Sequence, residues 1–515
     1  VDTSHSILRF AKRFFAGTLL SRGSGVARDM AMAFCFGSAP EIAAFMVAYR
    51  LANLFRRLLG EGNLQSGFVP HFESLQGDAA LRFYRDTSFS SLAILLGAVA
   101  LMEGGFWFLL PQLSADWAEI AKLAMWMAPG LVFICLYALN SAFLQCRKSY
   151  FLPAAAPAMF NAAWICAALS AHRFPIEEAV RFLSIGIAFA FALQWALTAL
   201  QVRKEIAMPW RDWFRPRLFS DEWKSLLKPL SLGVIGIGAA QINSALDAIF
   251  ARIADLSGPA YLWYAIRVQQ LPLALFGIAL SGALLPPLSR AMKEGALERY
   301  QELLQTALRH SAALMVPCSF GIFAVGGAGL NLLYGHGDFT PADVRETLHC
   351  LWGYGAGLLP SVFVLLLASG FYAKKSYSVP TAASVFSMAL NGILNALMVF
   401  AFHWGAVSIA IGTSVAAWAN CAILVWKLNA ATVSFGAYLA RLSFCGFVAA
   451  AATLAAGWVF LGDATLAGEF TRSSQAQIVQ FGGMAFLFLA AFFSAAYVMR
   501  VKELFDLLRR ETTRA

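Results

Sequence analysis

Between Ser21 and Pro70 the chain sets Arg22, Arg28, Asp29, Arg50, Arg56, Arg57 and Glu61 into segments otherwise apolar enough to cross a membrane. An ionised side chain at the centre of a membrane helix costs roughly 2.5–3.5 kcal/mol, so such residues face a bundle interior or a wet cavity and mark a substrate or ion path. Arginine offers a planar fork of donors matched to phosphate oxygens. Several arginines on one cavity would therefore draw a phosphate-bearing anion in preference to a neutral solute. Spacing supports convergence: Arg22 and Asp29 share a helix face with Gly25, and Arg50, Asn53, Arg57 and Glu61 form one stripe. Farther along, Arg267 is a second-half counterpart of Arg50, and Asp247 and Arg252 lie in the segment before it. A competing reading pairs Arg28 with Asp29 and Arg57 with Glu61, merely to hold helices together. Because Arg22, Arg28, Arg50 and Arg267 outnumber the nearby acids, those four are read as substrate-binding. Asp29, Arg57, Glu61 and Arg252 are read as members of structural pairs. Gly23 and Gly25 beside Arg22 either let the helix flex toward an anion or allow close helix packing.

The elements that must carry these groups are membrane helices. The chain has 515 residues, 59% hydrophobic and 13% charged, with a mean hydropathy of +0.65; soluble domains carry about 25% charged residues. Apolar runs near the roughly 20 residues that span a bilayer predict fourteen helices in an all-α polytopic fold. Their spans are 9–36, 42–66, 88–110, 120–145, 151–171, 178–201, 226–254, 260–287, 303–334, 345–371, 377–401, 404–428, 434–461 and 475–499. Cytoplasmic loops gather Lys and Arg. Alternate connections, from Arg9 and Lys12 through Arg82, Arg85, Arg147, Lys148, Arg203, Lys374 and Lys375 to Arg500, hold most of the basic residues, against Arg173 and Arg472 in the opposite set. Both termini are therefore expected in the cytoplasm.

The chain also repeats itself. Arg147-Lys148-Ser149-Tyr150 with Pro153 recurs 227 positions later as Lys374-Lys375-Ser376-Tyr377 with Pro380, and Arg50 with Pro70 is echoed by Arg267 with Pro287. Helices one to six thus match helices seven to twelve in a parallel repeat. The expected organisation is an N-lobe over 1–201, a cytoplasmic linker over 202–225, a C-lobe over 226–429, and a terminal helix pair with a cytoplasmic tail over 430–515. Such lobes bury a substrate site at their interface and rock around it.

Other classes fit poorly. The net charge of +10 is dispersed among short loops, which argues against a nucleic-acid partner. The eight cysteines lack CxxC or CxxH spacing and read as small buried hydrophobes. No GxxxxGK[ST] loop, HExxH motif or acidic metal cluster is present, so the reading is a transporter without a cofactor, not an enzyme. A drug or polysaccharide exporter is the nearer alternative and a polyprenyl-diphosphate membrane enzyme the more distant one. A drug exporter would want cavity acids. The first apolar run, cut by Arg22 and Arg28, is read as a retained span and not as a cleaved signal peptide.

Ser21-Arg22 through Arg28-Asp29, Phe36-Gly37, Ala44-Phe45, Asn53-Leu54 with Arg56-Arg57, Glu61-Gly62 and Phe68-Val69-Pro70 together resemble the signature of the MurJ (MviN) lipid II flippases. Ala283-Leu284-Leu285-Pro286 with Leu288-Ser289 looks like its second-lobe counterpart. The resemblance covers essentially the whole chain and implies membership of the multidrug/oligosaccharidyl-lipid/polysaccharide exporter superfamily. It implies translocation of the lipid-linked peptidoglycan precursor across the bacterial cytoplasmic (inner) membrane, in cell-wall biogenesis and cell shape. It also implies a cationic cavity from Arg22, Arg28, Arg50 and Arg267, with Asp29 and Glu61, and with them Arg57 and Arg252, in gating or structural pairs, and a groove for the polyprenyl tail along helices thirteen and fourteen. Partners so implied are lipid II, membrane lipids and cell-wall synthesis proteins, with the chain a monomer. Ala43, Ala52 and Ile266 stand where family members commonly carry an acid, a proline and an aspartate, which touches the gate pairing and not the cationic cavity. Some relatives are similar around a sodium site; its matching residues here are Asp247, Asn391, Asn395 and Thr413, with Asn395 in place of a carboxylate, so sodium or proton coupling is an expectation with weakened sodium affinity.

Overall fold

The computed structural model describes residues 4–59, 63–206, 208–428, 436–460, 470, 473–501 and 504. Among them it is all-helical, without a strand. This follows from the solvent: in lipid every backbone polar group must be paired within its own segment. The chain divides into two compact units, Val1–Ala248 and Ile249–Ala515.

The first unit begins with α1 (Ser4–Phe36), α2 (Pro40–Leu59), α3 (Asn63–Ser74), α4 (Gly77–Leu109), α5 (Ala115–Met127) and α6 (Gly130–Cys146). It continues with α7 (Phe151–Ala171), α8 (Ile176–Glu205), the short α9 (Trp210–Trp213) and α10 (Asp221–Ser225), and most of α11 (Leu227–Ala254). α1 packs along α7, α7 on α8, and α8 on α6. α5 and α6 meet at a 43° bend, where Pro129 has no amide to continue the ladder. The stretch after α8 does not hang free. A buried pair, Arg85 Nη2 to Asp86 Oδ1 at 2.7 Å, grips its backbone: Arg85 Nη1 donates to the Asp212 carbonyl at 2.8 Å and the Arg217 amide donates to Asp86 Oδ1 at 3.0 Å. Arg85, read from sequence as a loop charge, is 6% exposed. The sequence pattern misses this because Asp86 beside it cancels the charge.

The second unit holds α12 (Gly258–Pro272), α13 (Ala279–Lys293), α14 (Leu297–Tyr334), α15 (Pro341–Gly355), α16 (Leu358–Ala373), α17 (Ser378–Ala396), α18 (Val407–Leu428), α19 (Gly436–Phe460) and α20 (Ser474–Val498). A π-helical turn, Leu273–Ile278, joins α12 to α13 right after Pro272, which cannot donate to the α-helical ladder. Gly353 and Gly357 let α15 and α16 close on α18; a Cβ at Gly353 would lie 2.8 Å from Ala410 Cβ, and one at Gly357 2.9 Å from Ser414 Cα. α19 and α20 pair with each other and pack on α14, where Gln477 Nε2 donates to the Gly335 carbonyl at 3.3 Å.

Each of the fourteen predicted stretches falls mainly on helix among the described residues, with turns or coil at 128–129, 226, 356–357, 377, 404–406 and 499. Among the described residues nine helices are long and apolar enough to cross a membrane, or ten if bent α5–α6 is one span. The stretches outside that group are α1, α2, α11 and α12–α13, the ones that carry Arg22, Arg28, Arg50, Asp247 and Arg267.

The repeated loops share one conformation. After α6, Lys148 has φ 60° and the Ser149 amide donates to the Leu144 carbonyl at 2.8 Å; after α16, Lys375 has φ 57° and the Ser376 amide donates to the Phe371 carbonyl at 3.0 Å. Both are six-to-one helix terminations that require a left-handed residue, a role glycine usually fills. α7 and α17 then start the same distance on, with Pro153 and Pro380 at their third positions, where a missing amide costs nothing.

Candidate functional site

The site residues of the first unit sit on α1 and α2, both braced by α7. Asn161 of α7 is the hub. Its Nδ2 donates to the Ser21 carbonyl at 3.1 Å and to Ser24 Oγ at 2.9 Å, while its Oδ1 accepts from Arg28 Nη1 at 3.0 Å. One amide side chain thus ties two turns of α1 to α7. α1 runs unbroken through Ser21–Gly25, so the glycines do not bend it. Gly25 faces Asn161, whose Nδ2 would lie at an ordinary contact distance of 3.7 Å from a Cβ there.

Arg28, read from sequence as substrate-binding, meets Asp29 in this structure. Its Nε and Nη2 both donate to Asp29 Oδ1, at 3.0 and 2.7 Å, and its Cζ lies 4.6 Å above the Trp164 ring. With Arg28 7% and Asp29 3% exposed, the two form a buried ion pair, so an anion drawn to Arg28 would compete with Asp29 for its guanidinium. The physical reason is local: adjacent residues on α1 can fold back on one another against the Trp164 face, and burial strengthens their attraction. Trp164 also gathers Phe45, Tyr49 and Phe160, with ring centroids 5.8, 4.9 and 5.6 Å away.

Arg22 stands differently. It is exposed, and it lies at the middle of the predicted 9–36 span. A guanidinium at that depth is tolerated on a face open to water or headgroups. Arg50 is half-buried on α2. Ala43 and Ala52, at 0% and 5% exposure, are packed in the core, so these departures from the family pattern leave no polar gap. Glu61 lies outside the described residues, as do the side chains of Arg56 and Arg57.

α11 carries Asp247, 7% exposed, which accepts from Asn243 Nδ2 at 3.4 Å. It also carries Arg252, which donates to the Leu256 carbonyl just past the helix end, a structural tie. In the second unit Arg267 of α12 is half-buried, its Cζ 4.5 Å above the Trp263 ring. Each unit thus presents an arginine stacked on a tryptophan, with cation–π attraction fixing its plane. Asn391 and Asn395 of α17 are 2% and 0% exposed. Their Oδ1 atoms converge on Gly412 of α18, where a Cβ would lie 3.3 and 2.5 Å from them. Thr413 Oγ1 donates to its own helix at the Ile409 carbonyl, 2.9 Å away. Among the described residues no group of three or more His, Cys, Asp or Glu could hold a metal. These oxygen donors suit only a hard cation.

The sequence reading missed Asn161, Trp164 and Trp263. A lone amide in the apolar run of α7 was the available signal for Asn161, since a buried amide must find partners.

A family model described as lipid II flippase MurJ matches residues 32–480. A probable lipid II flippase MurJ of Rhizobium meliloti is 32% identical over 430 residues, covering 80% of this chain and 79% of its own length. A probable lipid II flippase MurJ of Chlamydia trachomatis is 31% identical over 428 residues, covering 82% of this chain and 78% of its own. Among solved structures, a lipid II flippase MurJ in an inward closed conformation superimposes with a TM-score of 0.74 at 22% identity, over 96% of this chain and 99% of that one. An inward-facing MATE-family multidrug resistance transporter of the MOP superfamily follows at 0.63 and 13%, over 79% and 93%.

Proposed function

Because the chain belongs to the lipid II flippase MurJ family, we propose that it carries lipid II, a polyprenyl diphosphate-linked disaccharide peptide, from the inner to the outer leaflet of the bacterial cytoplasmic membrane. It is a multi-pass membrane transporter and not an enzyme. The observation that carries the reading is the exposed guanidinium of Arg22 at mid-helix, a group that hydrocarbon would reject and a diphosphate would neutralise. Arg22 and Arg50 of the first unit offer positive charge to the headgroup in this reading.

Moving one charge through 100 mV is worth roughly 2.3 kcal/mol. A potential negative inside therefore biases the unloaded carrier toward the cytoplasm, and a headgroup of about two negative charges offsets most of that bias. The polyprenyl tail stays in lipid along α19 and α20, whose Phe447, Trp458, Ile478 and Phe486 are exposed. All fourteen stretches cross the membrane in this reading, with both termini cytoplasmic, as the basic loops demand. Sodium, held by Asn391 and Asn395, or a proton supplies further coupling, and the chain works as a monomer beside cell-wall synthesis proteins.

The test is lipid II translocation in proteoliposomes under an imposed potential. Arg22→Ala should fold normally and lose translocation. Flipping indifferent to the potential, or intact in Arg22→Ala, would overturn the cycle.

A further inference from the structure

The first unit holds a cavity of about 430 Å³ that the transport reading does not use. It lies where the basic segment after α8 folds back over α4, α6 and α8, and its size falls within the range of about 300–1,000 Å³ typical of small-ligand sites. Leu92, Leu136 and Trp195 line its inner part, Arg203 is the one charged lining residue, and Met208 and Trp213 of the fold-back segment close it from above. Arg203 is in the last turn of α8, which ends at Glu205. Trp195, eight residues earlier, lies about 12 Å deeper at 1.5 Å per residue. The cavity therefore has a cationic end at headgroup level and an apolar end within the bilayer.

The polar groups of its wall are already paired. Tyr84 Oη and Asn140 share a hydrogen bond of 2.6 Å, Asn140 and Thr198 one of 3.2 Å, and Ser88 Oγ donates to the Tyr84 carbonyl at 2.7 Å. These walls favour an apolar occupant. Arg203, with exposed Lys204, Arg211 and Arg215 nearby in sequence, favours an anionic head.

We propose that this cavity binds one acyl chain of an anionic phospholipid, with the phosphate on Arg203, and that the bound lipid fastens the 208–220 segment onto the first unit. The segment is already gripped along one edge by Arg85 and Asp86, and the Phe219 amide donates to Ser90 Oγ at 2.9 Å. Trp213, its centroid 6.1 Å from Tyr84 and 6.0 Å from Phe89, roofs the cavity. A chain beneath it adds apolar contact to the packing that Ile206, Met208 and Trp213 already make on the core of this unit.

Exposed Arg211 and Arg217 make the segment a trypsin target. The full-length protein in detergent is treated with trypsin alone, or with phosphatidylglycerol, phosphatidylcholine or glycerol phosphate, and retained lipid is counted by native mass spectrometry. Phosphatidylglycerol should slow cleavage in this segment and leave one tightly retained lipid, whereas phosphatidylcholine and glycerol phosphate should not. Arg203→Gln should weaken the protection about tenfold, the worth of one charge-assisted contact. Ala199→Phe, which fills the cavity, should abolish it, with Leu136→Phe as a second filling variant should the first misfold. Equal protection by phosphatidylcholine, protection by glycerol phosphate alone, or undiminished protection in both filling variants would overturn the proposal. None of these readouts depends on lipid II transport.

Discussion

Replacing Asp29 by alanine tests whether the Arg28–Asp29 pair positions α1 or serves the substrate directly. Both side chains are buried, at 7% and 3% exposure, and both Arg28 contacts to Asp29 Oδ1 are within 3.0 Å. Removing one member of such a pair strands a buried charge, a loss of about 3–5 kcal/mol. Asn161 and the Trp164 face remain to Arg28, and a desolvated cation–π contact retains about 2 kcal/mol, so the lower end, about 3 kcal/mol, is expected. For a unit of this size that is a fall in Tm of about 6–12 °C. Removing both charges, as Arg28→Met with Asp29→Leu, should bring stability back to within about 1 kcal/mol of the parent. The remaining deficit is the Asn161 Oδ1 left without its donor, about 1 kcal/mol. Arg22→Ala, on an exposed group, should move stability by no more than about 0.5 kcal/mol. The assay is thermal unfolding of the full-length protein in detergent, followed by tryptophan fluorescence. An Asp29→Ala protein that melts with the parent, or a double variant as weak as the single, would refute the reasoning.

Three further outcomes are expected. Lys148→Gly and Lys375→Gly should each stabilise by about 0.5–1 kcal/mol in thermal unfolding, because both lysines hold left-handed backbone that glycine adopts freely; opposite signs at the two sites would separate loops that the repeat makes equivalent. Gly412→Ala should abolish any sodium-stimulated component of flipping, because the new methyl displaces the Asn391 and Asn395 oxygens; flipping by the variant that still rises on replacing potassium with sodium would remove those amides from the coupling site. Lys224 beside Asp221, and the backbone amide and Ser220 at the start of α10 beside Glu222, hold these carboxyls below their ordinary values of 3.8 and 4.5. Their contribution is therefore complete above those values and is lost as pH falls through the lower folded ones. Fluorescence of buried Trp223 should be flat from about pH 5 to 8 and change below about pH 4.

The sequence by itself determined the membrane class, the helical stretches and the internal repeat. Each is a property of local composition: apolar length sets a span, and Lys374-Lys375-Ser376-Tyr377 can be matched to Arg147-Lys148-Ser149-Tyr150 by eye. It also named the arginines, because a charge in an apolar run is conspicuous wherever it points. What it left open was which arginines were free to act. Arg22 and Arg28 lie six residues apart on one helix, yet Arg22 is exposed and Arg28 is locked to Asp29. The difference comes from Asn161 and Trp164, more than 130 residues away in sequence. Arg85 was likewise indistinguishable from a loop charge until the segment after α8 folded back over it. Burial, pairing and the convergence of two amide oxygens on Gly412 arise from contacts between helices distant in the chain. Only tertiary packing brings such partners within the few ångströms over which a charge is cancelled or a donor satisfied.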